Sequence, residues 1–147
     1  MKLWRLYRAA HGPGLDGAGG LHAAGRWHPI GRRAVYFGAS AAIVVLERLA
    51  HLDPDVLPRD LVLSCFEGDA SIEDLAAGFD IEDIEKARMH GEDFLSSQRA
   101  CVLRVPSVVL QEEFNLVLNP LHADIDRIRV VSRRNFSFDG RLLRRSA

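Results

Sequence analysis

The sequence predicts an α+β fold in one domain, and three observations carry that expectation. Its 147 residues suit a single domain, for which roughly 100 to 200 residues is usual. Hydrophobic residues at 48% and charged residues at 27%, with mean hydropathy near zero, match an ordinary globular chain and exclude a disordered, collagenous or disulfide-framework one. Strand-like and helix-like segments are mixed without a regular β-α-β alternation.

Leu3 to Arg8 alternates weakly and reads as an opening strand with both faces partly covered. The stretch from Gly12 to Gly25, rich in glycine and with Pro13, reads as a loop without regular structure that lets backbone approach a ligand. Ala34 to Phe37 is a short strand. Ser40 is the expected N-cap of a helix from Ala41 to about Leu52, with Ile43, Leu46, Leu49 and Ala50 on its apolar face and Asp53-Pro54 closing it. Asp60 to Phe66 reads as a buried strand. Ser71 and Asp74 resemble a capping box opening an acidic helical stretch, followed after Gly78 by a second helix from Ile81 to Ser96. Ala100 to Val105 is a strand stopped by Pro106, and Val108 to Leu110, Asn115 to Leu118 and Ile128 to Ser132 are further strand candidates around the Asn119-Pro120 turn. Arg144 to Ala147 reads as a loose tail.

Composition also bounds function. The longest uncharged apolar run, Ala41 to Leu46, is too short to cross a bilayer. The opening Met1-Lys2-Leu3-Trp4-Arg5 lacks the apolar core of a secretory signal, so no membrane association and a cytoplasmic location are expected. Cys65 and Cys101 each sit in an apolar stretch and read as two buried thiols. A net charge of −1 argues against nucleic-acid binding driven by overall charge. Charge is nevertheless uneven: acids concentrate from Glu67 to Asp93 and arginines from Arg127 to Arg145. Arginine far outnumbers lysine, and its planar guanidinium suits bidentate phosphate or carboxylate contacts.

Gly12-Pro13-Gly14-Leu15-Asp16-Gly17 satisfies the spacing G-x-G-x-x-G, but the proline, the lack of a following helix and the arginines at 32 and 33 where an acid is required argue against a dinucleotide-binding βαβ unit. The six histidines are scattered without metal-ligand spacing, so no metal is expected. Glu47 and His51 lie one helical turn apart. Glu47 directly follows Ile43-Val44-Val45-Leu46; it either faces solvent at the edge of the apolar stripe or lines a cleft with a chemical task. Gly25-Arg26-Trp27 can offer a guanidinium to phosphates and an aromatic face to a base, or make ordinary core-edge contacts. In Val105-Pro106-Ser107-Val108 the proline ends a buried strand and leaves a hydroxyl at its lip.

These residues, together with Leu3-Trp4-Arg5-Leu6, Ala34-Val35-Tyr36-Phe37, Leu46-Glu47, Leu103-Arg104-Val105-Pro106-Ser107 and Asn115-Leu116-Val117-Leu118-Asn119-Pro120, occur in the order found in the RES domain family. The chain resembles that family, the toxins of RES/Xre type II toxin-antitoxin pairs, over almost its whole length, as a single RES domain from 1 to 147. The family's Arg, Glu and Ser map onto Arg26, Glu47 and Ser107, and His28 stands where the family usually carries Asn. The resemblance implies a fold like the ADP-ribosyltransferase toxins, with small mixed sheets and flanking helices around a cleft that binds NAD⁺ as substrate. It implies Glu47, Arg26 and Ser107 as catalytic residues, and Arg26, Trp27, Tyr36, Ser107 and Asn119 as residues that bind NAD⁺. In those roles Glu47 stabilises the cationic sugar, Arg26 holds the diphosphate, Tyr36 packs against nicotinamide or ribose, and Ser107 hydrogen-bonds within the site.

The first expectation is therefore a growth-arresting toxin that cleaves the nicotinamide–ribose bond and passes ADP-ribose to water or phosphate. The alternative is a mono-ADP-ribosyltransferase with a protein acceptor. An RNA-directed toxin using the arginine-rich C-terminal stretch is a third reading, disfavoured by net charge and interposed apolar residues. A non-enzymatic binding domain is the fourth. By the resemblance, the partner is an Xre-type helix-turn-helix antitoxin that covers the cleft.

Overall fold

The computed structural model describes residues 1–53 and 55–143. In chain order the elements are β1 (Lys2–Arg8), β2 (Val35–Gly38), α1 (Ala41–Ala50), β3 (Leu61–Glu67), β4 (Ile72–Asp74), α2 (Ile84–Ser97), β5 (Val102–Pro106), β6 (Phe114–Leu118) and β7 (Arg129–Phe136). Short 3-10 turns cover Ala9–His11, Ala18–Leu21, Ala123–Arg127 and Gly140–Leu143. The fold is α+β, as predicted. The strands form one mixed sheet in the order β4-β5-β6-β2-β1-β3-β7, antiparallel except for β4 beside β5.

The sheet is strong at its flanks and weak in its middle. β1 pairs with β3 along its whole length, from Lys2 opposite Glu67 to Arg8 opposite Leu61, and β2 pairs with β6 from Val35–Leu118 to Gly38–Asn115. Between β1 and β2 the register holds only at Trp4 opposite Gly38. Beyond that rung the Tyr36 carbonyl accepts from the Arg5 guanidinium at 2.7 Å.

Alternation along the central strands divides their side chains between two faces. Leu103, Val105 and Val117 pack with Trp27 against Ala87, Phe94 and Leu95 of α2. Val102, Leu116 and Leu118 join Leu3, Val35, Phe37 and Phe66. A third cluster, Leu6, Leu61 and Leu63, lies against Ala41 and Val44 of α1. Ser40 caps α1 by accepting from the Ile43 amide at 3.2 Å, and Asp83 caps α2 through the Lys86 amide at 3.1 Å, each worth about 1 kcal/mol. Helix α2 approaches closely because position 91 is glycine: a Cβ there would lie 1.7 Å from the Trp27 carbonyl oxygen.

Several segments differ from their expected form. The Ser71–Asp74 capping pattern opens no helix. Ile72–Asp74 instead adds a parallel strand to β5, with Ile72 opposite Val102, while the Ser71 hydroxyl donates to Asp124 at 2.8 Å and accepts from the Cys101 amide at 3.0 Å. Pairing to a buried strand outweighs the local helix-start chemistry. Val108–Leu110 is no strand, because the Ser107 hydroxyl captures the Val109 and Leu110 amides at 3.1 and 3.3 Å and turns the chain. The Gly12–Gly25 stretch holds a 3-10 turn at Ala18–Leu21. The second helix starts at Ile84 rather than Ile81, and β7 runs on to Phe136. Both cysteines are free and buried. Pro54 and the Arg144–Ala147 tail lie outside the described residues. Among the described residues no helix is long and apolar enough to cross a membrane.

Candidate active site

A cleft of about 640 Å³ lies over the junction of β1 and β2, walled by residues of both strands, of α1, of the segment 24–27 and of the start of α2. That size is usual for a small-molecule site. Its carboxylate is placed by a short chain of local rules. Gly38 has no side chain, and a Cβ there would come 2.5 Å from Val44 and 2.6 Å from Ile43, so α1 can rest directly on β2. Ile43 is thereby fully buried, and Glu47, one turn further on the same helical face, reaches Asn115, the strand partner of Gly38.

Glu47 Oε1 accepts from the Asn115 side-chain amide at 2.7 Å and from the Ser107 hydroxyl at 2.6 Å. Ser107, fully buried, follows directly on β5, next to β6, so the carboxylate is tied to the ends of two neighbouring strands. Oε2 lies 3.9 Å from His51 Nε2 and makes no closer polar contact among the described residues. Glu47 thus lines the cleft rather than standing in open solvent.

Arg5, Arg26, Arg48 and Arg88 also line the cleft, so positive charge exceeds negative around the carboxylate. Arg5 donates to the Pro13 carbonyl at 2.6 Å and to that of Tyr36 at 2.7 Å, and burial lowers its affinity for its proton. Arg26 donates to the Ile81 carbonyl at 2.9 Å, and Arg88 to that of Gly25 at 2.9 Å, which ties the 24–27 lip to α2 and the segment before it. Tyr36 closes this side. Its hydroxyl accepts from the Trp27 amide at 3.1 Å and lies 2.7 Å from His28 Nδ1. Burial pushes its phenol up to about 12, against the opposing pull of that amide, Arg88 and Arg26.

Glu47, Arg26 and Tyr36, predicted from widely separated positions, thus line one cleft, and Ser107 stands behind Glu47. Two other predicted residues are buried. Trp27 belongs to the cleft lining but is 2% exposed, its ring packed against Phe79 at 5.7 Å and edge-on to His90 at 6.3 Å, so it supports the lip from the core rather than presenting an open face to a base. Asn119 is 2% exposed; it donates to the Leu95 carbonyl at 3.0 Å and accepts from the Leu121 amide at 3.1 Å. It stands apart from the cleft, joining α2 to the turn after β6.

Residues 2–139 match the RES domain. The chain belongs to the RES domain family. It is 33% identical to the "Prs ADP-ribosylating toxin" of a Sphingobium species, across 97% of each chain. It is 34% identical to a "Toxin Res" of Pseudomonas putida, across 97% of this chain and 99% of the relative. A chain in the crystal structure of the M. tuberculosis MbcT-MbcA toxin-antitoxin complex shares the fold, with a TM-score of 0.76 at 16% identity over 92% of this chain and 84% of that one.

Glu47 and Ser107 are hydrogen-bonded neighbours at 2.6 Å, and Arg26 lies on the facing lip of the same cleft. Sequence reasoning missed Arg5, Arg48, Arg88 and Asn115 as parts of the site. Two of them left a signal: Arg5 is a charge set between Trp4 and Leu6 in the middle of β1, and Asn115 is the polar residue in Phe114-Asn115-Leu116-Val117-Leu118. A half-buried polar group still needs partners: Asn115 finds Glu47, and Arg5 the Pro13 and Tyr36 carbonyls.

Proposed function

We propose that this RES protein is a toxin that consumes NAD⁺ by cleaving its nicotinamide–ribose bond, passing ADP-ribose to water or phosphate and so arresting growth. Cleavage develops positive charge on the ribose, and a fixed anion beside that carbon stabilises the transition state more than the ground state. The observation that carries the reading is Glu47, held through Oε1 by Ser107 and Asn115 with Oε2 left for the cleft. Glu47 is the catalytic residue and its free oxygen also accepts from a ribose hydroxyl. Ser107 positions it. Arg26, with Arg5, Arg48 and Arg88 around the same cleft, supplies the positive field for the diphosphate. Tyr36 packs against nicotinamide or ribose. The departing nicotinamide is neutral, so the step requires no general acid.

A second reading, transfer of ADP-ribose to a protein, is favoured by the name of the Sphingobium relative. The partner is an antitoxin, supported by the complex in which the structural neighbour occurs, and the resemblance points to an Xre-type helix-turn-helix protein that covers the cleft. The test is nicotinamide release from NAD⁺ by the purified chain and by Glu47→Gln, with and without phosphate and with lysate. Release that Glu47→Gln lowers by about 100-fold or more supports the reading; dependence on phosphate or on a lysate protein identifies the acceptor. Absence of release under every condition overturns it.

A further inference from the structure

We infer that His28 is a positioning residue that sets the direction of the Tyr36 hydroxyl proton. The inference rests on the proposed NAD⁺ site. His28 is 4% exposed, and both of its ring nitrogens are engaged. Nε2 lies 2.9 Å from the Ala23 carbonyl oxygen. A carbonyl only accepts, so Nε2 carries the ring proton. Nδ1 of the neutral ring is then an acceptor, and at 2.7 Å from Tyr36 Oη it takes the phenol proton.

The Tyr36 oxygen receives the Trp27 amide at 3.1 Å on its other side. With its proton directed to His28, it has only acceptor capacity left for the cleft. It therefore pairs with a donor on the substrate, a ribose hydroxyl or the carboxamide N–H of the nicotinamide, and not with an acceptor. Glycine makes the assembly possible: a Cβ at Gly25 would stand 2.5 Å from Tyr36 Oη and 2.7 Å from His28 Cε1, and one at Gly20 would stand 3.2 Å from His28 Nε2. The His28 carbonyl also accepts from the Gly25 amide at 3.1 Å. The lip carrying Arg26 and the strand carrying Tyr36 are thus joined through one imidazole.

The two nitrogens can be tested apart, because an Asn amide reaches the Nδ1 position and a Gln amide the Nε2 position. His28→Gln keeps the Ala23 contact and loses Tyr36; His28→Asn keeps Tyr36 and loses Ala23. With NAD⁺ as substrate, His28→Gln is expected to raise KM by about 3- to 10-fold, the effect of one neutral hydrogen bond, and His28→Asn by less. In a Tyr36→Phe background the His28→Gln change is expected to add nothing further. Equal effects of Gln and Asn, or a Gln effect that persists without the Tyr36 hydroxyl, would overturn the inference. Nitrogen-15 NMR of the ligand-free chain gives a readout independent of activity, with Nε2–H and bare Nδ1 expected. An Nδ1–H or doubly protonated ring overturns the inference even if NAD⁺ is cleaved, and the expected tautomer in a chain that cleaves no NAD⁺ would place the failure with the proposed function instead.

Discussion

The Ser107 hydroxyl accepts from the Val109 and Leu110 amides and donates to Glu47, so its bonding capacity is spent inside the protein. Under the proposed function it is a positioning residue that acts through the carboxylate. Ser107→Ala is expected to leave Oε1 with Asn115 alone, to cost roughly 1 to 2 kcal/mol in urea unfolding, and to slow nicotinamide release about 10-fold while NAD⁺ binding falls less. Equal losses in binding and turnover would assign Ser107 to direct contact. Tyr36 makes a second prediction at this scale. Its phenol holds its proton up to about 12 in the folded chain, against about 10 when unfolded. The stability this represents is complete below about pH 10 and is lost as pH rises through the folded value. Urea midpoints should therefore fall across that window by more in the wild type than in Tyr36→Phe.

Helix α2 shows how an element can be settled by one contact. Alanine at position 91 improves helix propensity by up to about 1 kcal/mol, yet its Cβ would meet the Trp27 carbonyl at 1.7 Å. Gly91→Ala is expected to destabilise by about 1 to 3 kcal/mol in denaturant unfolding and, by pushing α2 away from the Arg26 lip, to weaken NAD⁺ binding. A neutral result would mean that α2 seats elsewhere. The elements themselves were largely legible: Ser40 announced α1, Pro106 marked the end of β5, and Asn119-Pro120 the turn after β6. What was not legible depended on distant partners. Ile72–Asp74 is a strand only because β5 offers it a ladder, and nothing in Ser71-Ile72-Glu73-Asp74 records that. Val108–Leu110 has strand composition, but a hydroxyl one residue upstream consumes its amides. Trp27 and Asn119 were recognisable as family marks, whereas their burial follows from where α2 lands.

At the scale of the molecule, charge is arranged against the sequence average. A chain of net charge −1 lines its cleft with four arginines. If these hold a diphosphate, raising salt from about 0.05 to about 0.5 M should raise KM for NAD⁺ several-fold as the screening length contracts, with Arg26→Ala less sensitive than the wild type. A salt-independent KM would remove the diphosphate from that wall. The carboxylate, its serine and one arginine could be found from sequence; Arg5, Arg48 and Arg88 join them only once β1, α1 and α2 are folded around the same space.

The lone rung at Trp4–Gly38 has a mechanical meaning. Seven strands count as one sheet, but the two leaves meet along a narrow spine, with Arg5 as the stay beside it. The breadth of the gap above is then governed by a guanidinium spanning Pro13 and Tyr36 rather than by a rigid row of amides. Cutting that stay is expected to slacken the gap while Glu47 keeps its anchors on Ser107 and Asn115, so that, under the proposed function, grip on the substrate and the reactive centre are separately adjustable parts.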